Sequence, residues 1–579
     1  MRTLPAENMR RIRARLEGLY GPRHGLRLLA RVELLAGRYG SGTQECTDPW
    51  PQDALWDQRD AVLITYGDML RAPNQKPLDT LRRFLDARLR GAVNTVHILP
   101  FFPYSSDDGF SVIDYREVDP ALGGWEQIHA LGEAYCLMFD LVLNHVSSHS
   151  TWFRNYTNGV APERHYFIEV DPQTDLSAVV RPRPHPLLAS AKTPGGERHV
   201  WTTFSADQVD LDFSNSDVLF EFLDILMLYV RSGARIVRLD AIAYLWKTIG
   251  TSCVNLPQTH EVVKLMRDVL EMLAPGTILL TETNLPHKDN ISYFGDADEA
   301  HMVYQFSLPP LLLHALHTGT TCHLVQWAAS LAQLPAGCAY FNFTASHDGI
   351  GVRPLEGLVP DSELQDLVDA VCQRGGQVST RTVPGGSVRP YELNITYFDA
   401  LSDPQSPVSD AHIARFLCSQ TVMLSLKGIP GVYFHSLTAT RNDYLGVEHT
   451  GQPRSINRMR WSERQLNEQL ADPSTHTARV FSEYDKRLRL RAAHPAFHPD
   501  GPQTVLDLED GLFGLLRRAP DDSETVLAIS NLGAEPRTLD IGSLTGADNH
   551  GHDLLSGNTL HGKIDLPPYE SLWLALDLV

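Results

Sequence analysis

Cysteine is scarce and unpatterned in this chain: seven among 579 residues, at positions 46, 136, 253, 322, 338, 372 and 418. No CxxC pair occurs, so neither a zinc ribbon nor a disulfide framework is indicated. Scattered thiols, odd in number, point to a reducing, cytoplasmic compartment. Long apolar runs are also missing. The most apolar stretch, 219–230, carries Glu221 and Asp224, so it reads as a buried helix and not as a membrane span. The N-terminus opens Met1-Arg2-Thr3 and runs into a charged segment without an apolar signal core. Basic residues are in deficit, 50 Lys and Arg against 70 Asp and Glu, for a net charge of −20. That argues against a nucleic-acid partner, which needs a basic face. Any anionic substrate must be captured by local arginines.

What is present is a large apolar fraction, 43%, enough for a sizeable core. From residue 60 strand and helix patterns alternate. The strand candidates are 61–66, 95–99, 136–143, 234–239, 277–281, 302–306, 340–344 and 432–435; helical periodicity lies between them at 78–89, 125–131, 218–231, 259–273 and 412–426. Eight such units imply an α/β fold, a parallel (β/α)8 barrel over 59–498. Two long segments interrupt it, 147–204 and 352–393, and loops of that length usually shape a site. Ahead of the barrel, 1–58 form an extension with two helices: Met9, Ile12, Leu16 and Tyr20, then Leu28, Val32 and Leu35, recur at helical spacing. Gly21-Pro22 breaks them and 37–42 ends the pair. A basic face could dock on the acidic body, and packing or a homodimer contact is expected rather than targeting. Residues 499–579 turn to short strand runs, 504–508, 512–517, 525–531, 537–541 and 571–576, which read as a small β-sandwich.

Acidic residues fall just after the apolar runs. Arg238-Leu239-Asp240 ends one, Glu282 in Thr281-Glu282-Thr283-Asn284 another, and Asp348 in Ser346-His347-Asp348 a third. Barrel active sites sit at the carboxyl ends of the strands. Three carboxylates there suit glycosidic-bond chemistry: one attacks the sugar carbon, one handles the leaving-group proton, one steadies the transition state. The guanidinium beside Asp240 suits a nucleophile that must keep its charge. The apolar strand before Glu282 suits an acid that must hold a proton. Taken alone, each is as readily structural: an ion pair, a capping glutamate, a capped loop. His145, after Asp140-Leu141-Val142-Leu143-Asn144, is alone more often a hydrogen-bonder than a ligand, and no full set of oxygen ligands accompanies Asn144, so no metal is expected. Asp107 and Asp108 follow the second strand. Coincidence at five strand ends is what makes the set specific.

These motifs resemble glycoside hydrolase family 13, the α-amylase superfamily, in 140–145, 233–240, 281–284 and 343–348. Within it the chain resembles the sucrose-phosphorylase subgroup, through Val96-His97-Ile98-Leu99-Pro100-Phe101-Phe102, Asp107-Asp108-Gly109-Phe110, Arg181-Pro182-Arg183-Pro184, Gly250-Thr251-Ser252-Cys253, Leu308-Pro309-Pro310-Leu311-Leu312-Leu313-His314-Ala315 and His347-Asp348-Gly349-Ile350-Gly351-Val352. The resemblance, over about 60–500, implies retaining phosphorolysis of an α-glucoside through a glucosyl-enzyme, with inorganic phosphate as co-substrate and no cofactor. It implies Asp240 as nucleophile, Glu282 as acid/base and Asp348 as transition-state stabiliser. Asp107, His145, Arg238, His347 and Arg458 (in Arg454-Ser455-Ile456-Asn457-Arg458) would hold the glucosyl ring, with Phe110 and Phe204 as apolar faces. Arg183 is the first choice for phosphate, although Arg181 and Arg183 alone read equally as a solvated basic loop; Tyr391 would line the same side.

The acceptor side departs from the sucrose enzymes. Where they tend to read Asp-Leu-Tyr-Gln, this chain has Arg389-Pro390-Tyr391-Glu392; where they tend to read Glu-x-His, it has Glu282-Thr283-Asn284. Asp298-Glu299-Ala300-His301-Met302-Val303-Tyr304-Gln305-Phe306 and Thr283-Asn284-Leu285-Pro286-His287-Lys288-Asp289-Asn290 are similar to glucosylglycerate phosphorylases of the subgroup. That resemblance implies 2-O-α-D-glucosylglycerate as substrate and D-glycerate as acceptor, with Asn284 in the site and Arg389 on the acceptor carboxylate. Sucrose or sucrose 6'-phosphate phosphorolysis is the alternative, and hydrolysis a third.

Overall fold

In the computed structural model, residues 5–39, 55–382, 388–404, 406–545 and 551–576 are described. Cys46, in the segment 40–54, and residues 383–387 lie outside them.

Eight parallel strands close a barrel: β1 Val62–Thr65, β2 Thr95–Ile98, β3 Cys136–Val142, β4 Ala234–Asp240, β5 Ile278–Thr281, β6 Met302–Tyr304, β7 Ala339–Phe343 and β8 Ile429–Tyr433. Each pairs with its chain neighbours, and β1 joins both β2 and β8. Apart from one position in β4 every strand residue is buried. That follows from the sequence, because strands covered by helices outside and packed side chains inside lose the polar alternation of a half-exposed sheet. The eighth strand departs from expectation. It starts at Ile429, not 432, and His435 lies in a short helix, Phe434–Leu437. Its opening Ile429-Pro430-Gly431 has poor β-propensity, yet Gly431 is required there: a Cβ would stand 2.5 Å from the Phe341 ring of β7.

Two helices precede the barrel, α1 Ala6–Tyr20 and α2 Pro22–Tyr39. Ile12 and Leu16 are fully buried, and α1 packs along the barrel helix Pro257–Leu273. The basic face is paired with acids of the body. Arg11 reaches Asp268 at 2.7 Å, Arg15 reaches Asp298 at 3.0 Å, and Arg31 reaches Asp217 at 2.6 Å.

At the other end, Gln503–Val505, Leu512–Arg518, Thr525–Asn531, Ser571–Leu576, Gly551–Asp553 and Thr559–Leu560 form an antiparallel sheet, joined by a two-stranded sheet of Arg537–Asp540 and Lys563–Leu566. Strand alternation divides its side chains. Leu527, Ile529, Leu572 and Leu574 cluster with Leu539 and Leu566 of the small sheet and with Ile541 just after it. Val526, Ala528 and Trp573 face the barrel core, and Trp573 Nε1 donates to Ser425 Oγ at 2.8 Å.

The segment 147–204 holds more order than its composition suggests. Ser150 caps a short helix, Thr151–Thr157, and Leu188–Thr193 pairs with Gly196–Trp201. Their few residues and unalternating apolar positions hid both. The segment 352–393 holds helix Asp361–Gln373 and a hairpin, Gln377–Thr382 with Val388–Asn394.

Candidate active site

The carboxyl ends of the barrel strands open into one pocket. Its lining includes Asp107, Phe110, His145, Arg183, Phe204, Asp240, Glu282, Asn284, His347, Asp348 and Tyr391. Arg238 and Arg458 lie just behind that wall, both almost fully buried.

β4 supplies the floor. Arg238 Nη1 donates to Asp140 on β3 and, at 2.7 Å, to Asp240; its other terminal nitrogen stands 4.0 Å from Glu282. Asp140 is held on its far side by His97 of β2 at 2.7 Å. The chain turns sharply after Asp240, because Ala241 adopts φ 50. A left-handed conformation costs a non-glycine residue about 1–2 kcal/mol. Here it aims the Ala241 N–H at Glu282 Oε2, 2.9 Å away, and so ties the ends of β4 and β5 together.

Burial pushes the Asp240 carboxyl well above the usual range against the pull of Arg238, with Glu282, Asp140 and Asp348 adding to the rise. Burial raises Glu282 as well, and Asp348 adds to it. The two sites titrate together and do not ionise independently. The shorter contact of Arg238 is to Asp240, which favours the proton on Glu282. Asp348 goes the other way. Burial alone would raise it, but Arg454, His347, Arg458 and Arg238 hold its carboxyl well below the usual range.

The opposite wall is a network of arginines. Arg454 Nη1 lies 2.6 Å from Asp348, and its other edge grips Glu392 at 2.8 and 3.0 Å. Arg458 donates to the His347 carbonyl at 2.8 Å, to Asp108 at 3.0 Å and to Asp107 at 3.2 Å. Asp107 and Asp108 both sit at positive φ, 52 and 48, a region aspartate tolerates better than most residues. His347 stacks on Phe110, centroids 4.6 Å apart and planes 2° off parallel. His145 Nε2 lies 2.9 Å from the Phe110 carbonyl oxygen, and burial depresses its basicity, so the ring is neutral and donates there. Phe204 meets His145 and Tyr244 with centroids 5.3 Å away in each case.

Arg183 comes from the first long segment, with its guanidinium 5.4 Å above the Tyr391 ring. Among the described residues it is the pocket guanidinium with no carboxylate within ion-pair distance. Asn284 lies against Gly351, where a Cβ would meet its amide at 2.7 Å. Arg389 is a correction. It does not line the pocket; it points outward, half exposed, to Asp361 at 3.4 Å. Strict alternation would put Arg389 and Tyr391 on one face, but the register slips between them: Glu392 lies opposite Ser379 and Pro390 opposite Thr380, so Tyr391 is the extra residue of a bulge and the alternation breaks there.

Arg454, Glu392 and Tyr244 were not singled out by the sequence. The signal for Arg454 is its spacing from Arg458, four residues on, which follows directly after the helical segment Pro453–Asn457. Lys247 was missed entirely: its ammonium is 2.6 Å from Asp210 and 2.6 Å from Asn144, and so fixes the strand end that carries His145.

The alpha-amylase catalytic domain matches residues 91–349. A glucosylglycerate phosphorylase of Allomeiothermus silvanus is 44% identical over 576 residues, 99% of this chain and 100% of that one. One of Escherichia coli K12 is 44% identical over 522 residues, 90% and 92% of the two chains. The crystal structure of sucrose 6F-phosphate phosphorylase from Thermoanaerobacter thermosaccharolyticum superposes with TM-score 0.71 at 27% identity, covering 82% of this chain and 94% of that one. The chain belongs to the α-amylase family, glycoside hydrolase family 13, on the branch that holds the glucosylglycerate and sucrose-type phosphorylases.

Proposed function

We propose that the protein is a retaining glycoside phosphorylase that interconverts 2-O-α-D-glucosylglycerate and phosphate with α-D-glucose 1-phosphate and D-glycerate. The observation that carries the reading is one pocket holding Asp240, Glu282 and Asp348 with an unpaired guanidinium, Arg183, in a chain that aligns end to end with glucosylglycerate phosphorylases.

In the first displacement Asp240 bonds to the anomeric carbon as the bond to glycerate breaks, and Glu282 gives its proton to the departing oxygen. Asp348, held ionised by Arg454, stabilises the positive charge that develops on the ring. Phosphate then attacks the anomeric carbon from the side glycerate left, Glu282 takes its proton, and the ester to Asp240 breaks. Two inversions give net retention. Side chains supply the acid, the base and the first nucleophile, and phosphate as co-substrate supplies the second, so this reading calls for no cofactor.

Both exchanging partners are anions, and they occupy the pocket in turn. Arg183 serves both, since a planar guanidinium meets phosphate and carboxylate with the same fork of donors. The enzyme is read as cytoplasmic, in keeping with cysteines that are few and scattered along the sequence. No helix among the described residues is long and apolar enough to cross a membrane.

The test is phosphate release from α-glucose 1-phosphate with D-glycerate, glycerol, fructose or fructose 6-phosphate. Release chiefly with glycerate is the expected result. Release chiefly with fructose 6-phosphate would move the assignment to the reading favoured by the sucrose 6F-phosphate phosphorylase likeness.

A further inference from the structure

Outside the sugar pocket, one cluster of side chains has no part in this chemistry. His314 on helix Leu308–Thr318, His323 on helix Cys322–Ser330 and Glu363 in the first turn of helix Asp361–Gln373 come from three separate elements. Both imidazoles turn Nε2 toward one carboxylate oxygen, Glu363 Oε2, at 2.9 Å from His314 and 3.1 Å from His323. Candidate ligand atoms of all three lie within 4.8 Å of one another. The two rings are not stacked; their planes meet at 63° with centroids 5.4 Å apart.

The convergence of both imidazoles on one carboxylate oxygen brings donor atoms from three separate elements to one point. An ion with metal–ligand bonds of about 2.0–2.1 Å in a tetrahedral arrangement spaces its ligand atoms roughly 3.3 Å apart, close to the 2.9 and 3.1 Å between each imidazole nitrogen and the carboxylate oxygen. Two imidazole nitrogens and one carboxylate form a donor set for zinc and its first-row neighbours. Burial is graded: the side chains of His314, His323 and Glu363 are 2%, 18% and 36% exposed. The innermost ligand is therefore held by packing, while the outer side stays open to solvent for entry and for a water ligand.

We propose that His314 Nε2, His323 Nε2 and the Glu363 carboxylate bind a divalent transition-metal ion of the zinc class, with water at the fourth position. The placement says what such an ion does. Two ligands sit on barrel helices. The third opens the inserted segment whose hairpin carries Tyr391 and Glu392 into the pocket. The ion pins that insertion to the barrel, two residues along the helix from Asp361, which pairs with Arg389.

The experiment uses the untagged full-length protein, freed of metal by a chelator and titrated with zinc chloride and with cobalt chloride. One equivalent is expected to bind, with the visible bands of tetrahedral cobalt and an upward shift of Tm. His323→Ala, whose side chain is partly exposed and whose phosphate-release activity reports its folding, is expected to lose about 100-fold or more in affinity together with the Tm shift. Glu363→Gln is expected to weaken binding while keeping the fold. Absence of saturable binding near one ion per chain would overturn the proposal, as would a His323→Ala variant that binds like its parent. A cobalt spectrum dominated by thiolate charge transfer would also overturn it, since that would place the ion on an exposed cysteine, Cys322 or Cys372.

Discussion

Arg454 holds Asp348 at 2.6 Å with one guanidinium nitrogen while its other edge is committed to the buried Glu392. One side chain therefore sets the charge of a pocket carboxylate and closes the hairpin that carries Tyr391. Replacing it by methionine leaves Glu392 buried and unpaired, a change worth about 3–5 kcal/mol of stability. Arg454→Met is expected to lower the denaturant midpoint by that equivalent, and the Asp348 carboxyl to titrate at higher pH. Urea unfolding and a pH–rate profile on the folded fraction check the two parts separately.

Leaving-group chemistry separates Glu282 from Asp240. Glycerate needs a proton as it departs, whereas fluoride does not. Glu282→Gln is expected to slow glucosylglycerate phosphorolysis by about 10²–10⁴-fold and to spare the first step with α-glucosyl fluoride. Asp240→Asn replaces the attacking carboxylate by a weakly nucleophilic amide and is expected to abolish both. Equal losses in Glu282→Gln on the two donors would contradict the assignment of the acid.

Arg183 is expected to act on both anions. A hydrogen bond to a charged group contributes about 1.5–3 kcal/mol, so Arg183→Ala should raise KM for phosphate and for glycerate by roughly 10–100-fold. Slow hydrolysis of the glucosyl-enzyme, in which the attacker is neutral water, should be little changed. Arg389→Ala, outside the pocket and half exposed, should leave glycerate KM within about twofold; surface changes of this kind stay within about 0.5 kcal/mol. A large rise in KM with Arg389→Ala would return the acceptor site to that loop.

Asp207 gathers the hydroxyls of Ser105, Ser106, Ser111 and Ser148 and so staples the first long segment to the loop after β2. Burial opposes ionisation, but those hydrogen bonds win and lower its carboxyl to about 2. With a folded value below the unfolded one, its stabilisation is complete above the ordinary aspartate range and drains away as pH falls from about 4 to about 2. Thermal melts of Asp207→Asn should accordingly fall below the parent at neutral pH and converge with it across that window.

Two forces hold α1 on the barrel, and their magnitudes differ. Leu16 is fully buried, so Leu16→Ala is expected to cost about 2–5 kcal/mol. Arg11 is more than a third exposed on its side of the pairs with Asp268 and Glu271, and exposed pairs contribute about 0–1 kcal/mol. Arg11→Ala should barely move Tm. The reverse order would make the charged face, not the apolar stripe, the reason the extension stays docked.

The barrel was legible because its strands are fully buried: runs such as Ile278–Thr281 and Ala339–Phe343 carry no alternation to confuse with a surface sheet. Asp240, Glu282 and Asp348 could be picked out because strand ends in a parallel barrel share one face, so position along the chain already implies position in space. The ends of β8 were misplaced, since a strand that opens Ile-Pro-Gly depends on what packs against it, here the Phe341 ring.

The amino-acid order alone thus settles which strands line the barrel, which carboxylates stand at its mouth and which helical stripe the extension buries, because period and adjacency are local properties. It does not settle which arginine meets which acid. Arg389 and Arg454 look alike on paper. The hairpin turns the first toward Asp361, and the helical turn Pro453–Asn457 turns the second into the pocket. His314, His323 and Glu363 meet only when three helices pack. Such pairings depend on side chains brought together across long sequence separations, where a few tenths of an ångström decide whether two charges touch.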